Sequence, residues 1–184
     1  MEITTQMVKE LREQTGAGIM AAKRALQEAE GNMAKASAIL QQQGLARAEK
    51  KAGREASQGL IEPYVHGNRI GVLVEVDCET DFVARTQEFR TLAHDLAMQI
   101  AASAPRYISP KAIPDDVLAQ ATERLGNEKQ TSQELALLAQ PFIKDPKVTV
   151  EDVVKAAIGK LGENIIIRRF SRIELGSDAH LVEE

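Results

Sequence analysis

The spacing of hydrophobic positions first changes period near residue 60. Upstream, apolar residues recur in steps of three and four, which is helical spacing. Met7, Val8 and Leu11 form a first stripe, and Thr4 or Thr5 stands ready to cap it. Residues 15–18, TGAG, break that helix, because glycine tolerates turn dihedrals that other residues resist. A second stripe, Ile19, Met20, Ala22, Leu26 and Ala29, runs out at Gly31. Asn32 caps a third, carrying Met33, Ala36, Ile39 and Leu40 and stopping at Gly44. Three short helices around a small core predict a helical docking domain over residues 1–55, marginal if left alone.

Beyond Leu60 the period becomes two. Two strand-like runs flank Gly67-Asn68, a hairpin dipeptide, and Ile70, Val72, Val74 and Val76 alternate onto one buried face. Pro63 has no N–H to donate to a ladder, so its strand is expected at a sheet edge or bulged at that residue. Thr86 then caps a helix with Phe89, Leu92, Ala93, Leu96 and Ile100 on its apolar side. Pro114 opens another helix that runs to about Gly126, and residues 126–133, GNEKQTSQ, read as a hydrophilic break. An extended, proline-punctuated piece leads to Thr149, which starts a helix bearing Val153, Val154, Ala157, Ile158 and Leu161 and ending at Gly162. Residues 163–176, ENIIIRRFSRIELG, carry the strongest strand signal. The expected class is α+β: a three-helix bundle, then an α+β core over residues 56–184 with a small antiparallel sheet covered by helices.

The chain has 184 residues, 43% hydrophobic and 27% charged, as in a soluble globular protein. No apolar run approaches the ~20 residues of a membrane span, and the amino terminus has no signal-peptide core, so no membrane association is expected. One cysteine cannot form an internal disulfide, which fits a reducing cytoplasm. The net charge of −4 argues against direct nucleic-acid binding. Residues 1–55 hold nine Lys/Arg against seven Asp/Glu, so the front is slightly basic and the rest acidic. The run Arg47, Lys50, Lys51 and Arg54 reads as a solvated helix face or linker.

No constellation of catalytic groups emerges. The GAG at Gly16–Gly18 joins two helices, whereas a phosphate-cradling fingerprint follows a strand. Cys78 and His94 lack a spacing that would activate the thiol, and the histidines His66, His94 and His180 never pair at i, i+4. Asp77, Glu79 and Asp81 alternate, so a strand would set all three on one side as a candidate cation site, although solvated charge ending an edge strand is the ordinary reading. Phe82 stands seven residues before Phe89, and the pattern alone favours it as an extension of that core stripe. A fresh helix start at Thr86 would instead leave it free to point elsewhere.

Two segments, residues 11–26 (LREQTGAGIMAAKRAL) and 75–85 (EVDCETDFVAR), resemble the signature segments of the elongation factor Ts family, the guanine-nucleotide exchange factors of elongation factor Tu. Residues 138–154 and 162–176 are similar to that family's carboxyl-terminal segment, so the resemblance spans nearly the whole chain. Asp77 stands where asparagine is common, and Ala21 where an acidic residue is frequent. The chain is short beside long members, which carry a second core subdomain and a coiled coil. Short members pair, so a homodimer is expected.

The resemblance implies a ubiquitin-associated-like bundle that docks on factor Tu, GDP-bound or nucleotide-free, through Lys9, Leu11, Arg12, Gly16, Gly18, Ile19 and Met20. Leu11 and one of Ile19 and Met20 are expected to serve the bundle's own core as well. It implies that Thr80, Asp81, Phe82 and Val83 dislodge the partner's Mg²⁺ and loosen its GDP, with no cofactor, no metal and no enzymatic chemistry of the chain's own. A ubiquitin-associated-type adaptor for another partner is the alternative, since the bundle alone hosts many partners.

Overall fold

The computed structural model describes residues 3–177, so His180 lies outside the described residues. Three helices come first, α1 (Thr5–Thr15), α2 (Ile19–Glu28) and α3 (Met33–Glu49). The hairpin β1 (Gln58–His66) and β2 (Ile70–Cys78) follows, then the single turn α4 (Asp81–Ala84) and the long α5 (Gln87–Ser103). Next come α6 (Asp115–Leu125), α7 (Glu128–Leu135), a small hairpin β3 (Pro141–Phe142) and β4 (Asp145–Thr149), α8 (Val150–Leu161) and β5 (Ile165–Glu174). The class is α+β, as the sequence predicts.

The helix ends follow local chemistry. Thr4 caps α1, its hydroxyl accepting the Met7 N–H at 3.2 Å, and Gly16 closes it at φ 67°, a left-handed turn that suits glycine. Asn32 caps α3 through the Lys35 N–H. Thr149 and Asp152 form a reciprocal capping box at the start of α8. Residues 126–133 are not a break: Gly126 ends α6 at φ 90°, and Asn127 at once caps α7 by accepting the Gln130 N–H at 2.9 Å. A stop signal directly followed by a start signal reads as a polar loop when only composition is weighed.

Helix α3 does not stop at Gly44 but runs five residues further. Gly44 marks a crossing: a Cβ on Gly159 of α8 would come within 3.0 Å of the Gly44 Cα. Two glycines face each other there, so the backbones approach more closely than side chains would allow, which repays the ~1 kcal/mol that mid-helix glycine costs. Helix α3 serves two of the buried clusters among the described residues. Val8, Leu11, Ala22, Ala25, Leu26, Ala36 and Leu40 fill the bundle, whereas Ala48, one turn past Gly44, belongs to the main core. In the basic run near residue 50, Arg47, Lys50 and Arg54 are exposed, as expected of a solvated face, while the segment is tied down where Lys51 donates to the Gly162 carbonyl and the Arg54 carbonyl accepts from Asn164 Nδ2 at 2.7 Å.

The sheet order is β1-β2-β5, all antiparallel, with β1 at an edge, where Pro63 is tolerated. Gly67 and Asn68, at φ 55° and 56°, make the hairpin turn. A bulge after Glu75 leaves Arg168 as the extra residue of β5, and its guanidinium reaches Asp77 Oδ2 at 2.7 Å and the Ala56 carbonyl at 2.9 Å. One sheet face, with Val72, Val74, Val76, Ile165 and Ile167, is buried against Phe89, Leu96 and Ile100 of α5 and Val150, Val154 and Ile158 of α8. The opposite face presents Ile61 and Val65 of β1, Leu73 of β2 and Ile173 of β5, all exposed. Among the described residues no helix is long and apolar enough to cross a membrane.

Candidate partner-binding site

The turn α4 is fixed at both ends and bare in the middle. Thr80 caps it, its hydroxyl accepting the Val83 N–H at 3.4 Å. At the other end the Thr86 hydroxyl donates to the Val83 carbonyl at 2.8 Å and accepts the Phe89 N–H at 3.2 Å, starting α5 afresh. Val83 packs on the core and Ala84 is buried. Phe82 between them is 82% exposed. The core-stripe reading of Phe82 is therefore corrected. Restarting the helix at Thr86 breaks the phase that would have carried the stripe back seven residues. Leaving this ring in water forgoes the ~2 kcal/mol that burying a phenylalanine provides.

The three neighbouring carboxylates do not converge. Asp77 is buried and paired with Arg168, against the expectation of solvated charge. Glu79 accepts the Asn164 N–H at 2.7 Å and lies 3.5 Å from Arg54; the Asn164 N–H holds its carboxyl below the usual range. Asp81, half exposed, pairs with Arg85 at 2.8 Å. Each acid faces its own cation or amide, so no shared cation pocket forms here. Among the described residues no cluster of three metal-binding side chains occurs.

Cys78 is fully buried and its thiol donates to the Thr80 carbonyl, with Sγ 3.1 Å from the oxygen. Burial first, and then the Glu163 carboxylate, pushes its thiol up to about 11. His94 turns away to Glu62 Oε1 at 2.8 Å and packs edge-on against Tyr64, so no thiolate–imidazole pair exists. The native thiol is accordingly expected to resist an aromatic disulfide reagent at pH 8 and to react once urea unfolds the chain. Fast stoichiometric labelling of the native protein would contradict this.

The turn between α1 and α2 forms the second exposed apolar point. Ile19 and Met20, at 58% and 63% exposure, both face solvent, so neither serves the bundle core as expected; Gly18 holds them at the first turn of α2. Leu11 is fully buried and lies behind this surface rather than on it. Lys9 and Arg12 are exposed, Lys9 lying 3.9 Å from Glu13 and Arg12 Nε donating to the Ala17 carbonyl at 3.4 Å. Gly16 is exposed and crossed by the alkyl chain of Lys160, which a Cβ at Gly16 would meet at 2.7 Å. Lys160 also reaches toward Glu88, at the start of α5, at 3.8 Å.

The carboxyl-terminal corner of α8 thus touches both exposed apolar points. Lys160 lies under the bundle turn, and Glu163 accepts two hydrogen bonds from Thr80. Neither residue carries a pattern in the sequence that marks it as functional. The local signal is limited to a carboxylate and an amide, Glu163 and Asn164, following directly on the helix-ending Gly162.

A family model described as elongation factor TS matches residues 4–133. The elongation factor Ts of Carboxydothermus hydrogenoformans is 51% identical over 99% of this chain and 93% of its own length. Those of Thermodesulfovibrio yellowstonii and Alkaliphilus oremlandii are 48% and 47% identical, over 96% and 100% of this chain and 98% and 94% of their own lengths. Matched over most of its length by the model and end to end by these relatives, the chain belongs to the elongation factor Ts family of translation elongation factors.

Proposed function

We propose that the chain binds elongation factor Tu and speeds its release of GDP, so that GTP can enter. The observation that carries this is Phe82: a large apolar ring exposed on a turn whose neighbouring residues are all fixed. Such a ring can enter a partner without refolding its own scaffold, so little ordering entropy is lost on contact. Ile19 and Met20, with Lys9, Arg12, Gly16 and Gly18 around them, form the docking surface of the bundle, and Leu11 supports it from within. Phe82 then acts as a wedge that shifts the partner's loops around GDP·Mg²⁺, with Thr80 and Val83 holding the wedge in place. Asp81 brings an acceptor-rich group toward the water around the partner's Mg²⁺, and it must share or leave Arg85 to do so. Without Mg²⁺ the diphosphate charge is unneutralised and the nucleotide is held less tightly.

No covalent bond is made or broken, so the chain works by shifting populations rather than as an enzyme. If it loosens GDP by some factor, GDP must loosen its hold on the partner equally. Lowering the release barrier by ~4 kcal/mol would speed departure about a thousandfold. Release of a fluorescent GDP from factor Tu, with and without the chain, is the test. Acceleration that saturates with chain concentration is the expected result. Binding without acceleration would favour a plain adaptor.

The same reading extends to a second copy of the chain. The outer sheet face, with Ile61, Val65, Leu73 and Ile173 side by side on three strands, is an apolar surface of the kind that oligomer interfaces cover. We propose that two chains pair through it, related by a two-fold axis.

A further inference from the structure

We infer that Glu163 is a positioning residue for the Phe82 turn: it holds that turn in its projecting conformation and so sets the maximal rate of exchange without contributing to docking. This deepens the function proposed above and rests on it. The residue sits 81 positions beyond Phe82 in sequence, in the short link between Gly162, which ends α8, and Ile165, which begins β5.

Both oxygens of Glu163 are committed to one residue. Oε2 accepts the Thr80 N–H at 3.0 Å, and Oε1 accepts the Thr80 hydroxyl proton at 2.6 Å. A threonine hydroxyl has one proton and two lone pairs. With its proton given to Glu163, the Thr80 oxygen keeps its lone pairs for the Val83 N–H, the contact that caps α4. The carboxylate therefore sets which way the cap points. Next to it the relationship is mirrored, since Glu79 accepts the Asn164 N–H at 2.7 Å. Two segments distant in sequence clasp each other, each glutamate accepting a backbone N–H from the other strand of the clasp.

Four residues cannot sustain a helix by themselves, because the nucleus costs more than one or two hydrogen bonds return. The shape of α4 is consequently imposed from its ends. Thr86 secures the far end within the same stretch of chain. The near end depends on Glu163. Phe82 itself is too exposed to contribute to holding the turn.

The test uses the full chain carrying Glu163→Gln, which keeps shape but loses one acceptor, and Glu163→Asp, which keeps charge but falls one methylene short. In the free protein, hydrogen exchange at the amides of Thr80, Val83 and Ala84, each of which donates a hydrogen bond at this turn, is expected to rise while those of α5 stay protected. Unchanged protection in both variants would overturn the clasp, whatever factor Tu does. With factor Tu and fluorescent GDP, the saturating release rate is expected to fall about tenfold, the factor that ~1.4 kcal/mol represents, with the half-saturating concentration unchanged. In a Phe82→Ala background, Glu163→Gln should cost nothing more, because both changes act through one ring. Costs that multiply, or a change in half-saturation alone, would overturn the positioning role. Failure of the unsubstituted chain to speed release would instead sink the exchange function and the rate-setting role together, while the hydrogen-exchange arm still decides the clasp.

Discussion

Truncating Phe82 to alanine should slow chain-stimulated GDP release from factor Tu by about 30-fold, corresponding to the ~2 kcal/mol that removing a desolvated aromatic anchor costs at an interface. The same change should leave the chain's own stability within about 0.5 kcal/mol, because the ring has little burial in the free protein to lose. That separation between activity and stability is what gives the prediction its force. Most large aromatic truncations unfold a core, at ~3–5 kcal/mol. Here the circular dichroism spectrum and melting temperature serve as the control. Normal release by Phe82→Ala would remove the assigned site, and loss of the native fold would show that the ring is buried after all. Asp81→Ala should also slow release, though by less, since Arg85 already occupies that carboxylate.

A charge placed at the centre of the outer sheet face should convert a dimer to a monomer. Leu73 is the residue of choice: it lies on the middle strand, opposite Pro63 on one side and Ser171 on the other. Light scattering on the eluting protein should give about 40 kDa for the unsubstituted chain, twice its 20.1 kDa. For Leu73→Lys it should give about half that, because a C2 axis buries each substitution twice and leaves two ammonium groups without partners. Leu73 projects from the face opposite the core, so the monomer should remain folded. A 20 kDa species from the unsubstituted protein would rule the dimer out.

The fold was legible wherever one local signal decided the outcome. The alternation from Ile70 to Val76, the Gly-Asn turn, the Pro63 edge and the caps at Thr86 and Thr149 all stand in the structure where the pattern set them. It was less legible where two segments far apart in sequence decide jointly. Gly44 reads as a stop until Gly159 is placed against it, and Asp77 reads as surface charge until a bulge delivers Arg168. Exposure of Phe82 turns on whether the helix is continuous across residue 85, and periodicity is blind to that. The Glu163 contacts were out of reach because 83 positions separate it from Thr80, and a glutamate accepting from one threonine's N–H and hydroxyl leaves no pattern in the intervening sequence.

The run of α3 past Gly44 matters once two contacts with one partner are considered together. At 17 residues the helix is a rod of about 25 Å, anchored in the bundle at Ala36 and in the main core at Ala48, and pinned between them where Gly44 meets Gly159. Had a flexible tether joined bundle and core, the second contact would form at an effective concentration set by chain statistics, in the millimolar range. On the function proposed above, the rod would let the first encounter place Phe82 at one fixed offset from the bundle turn. Avidity is then all-or-none in geometry: a partner whose two receptive points lie at that offset gains both contacts together, and any other gains one.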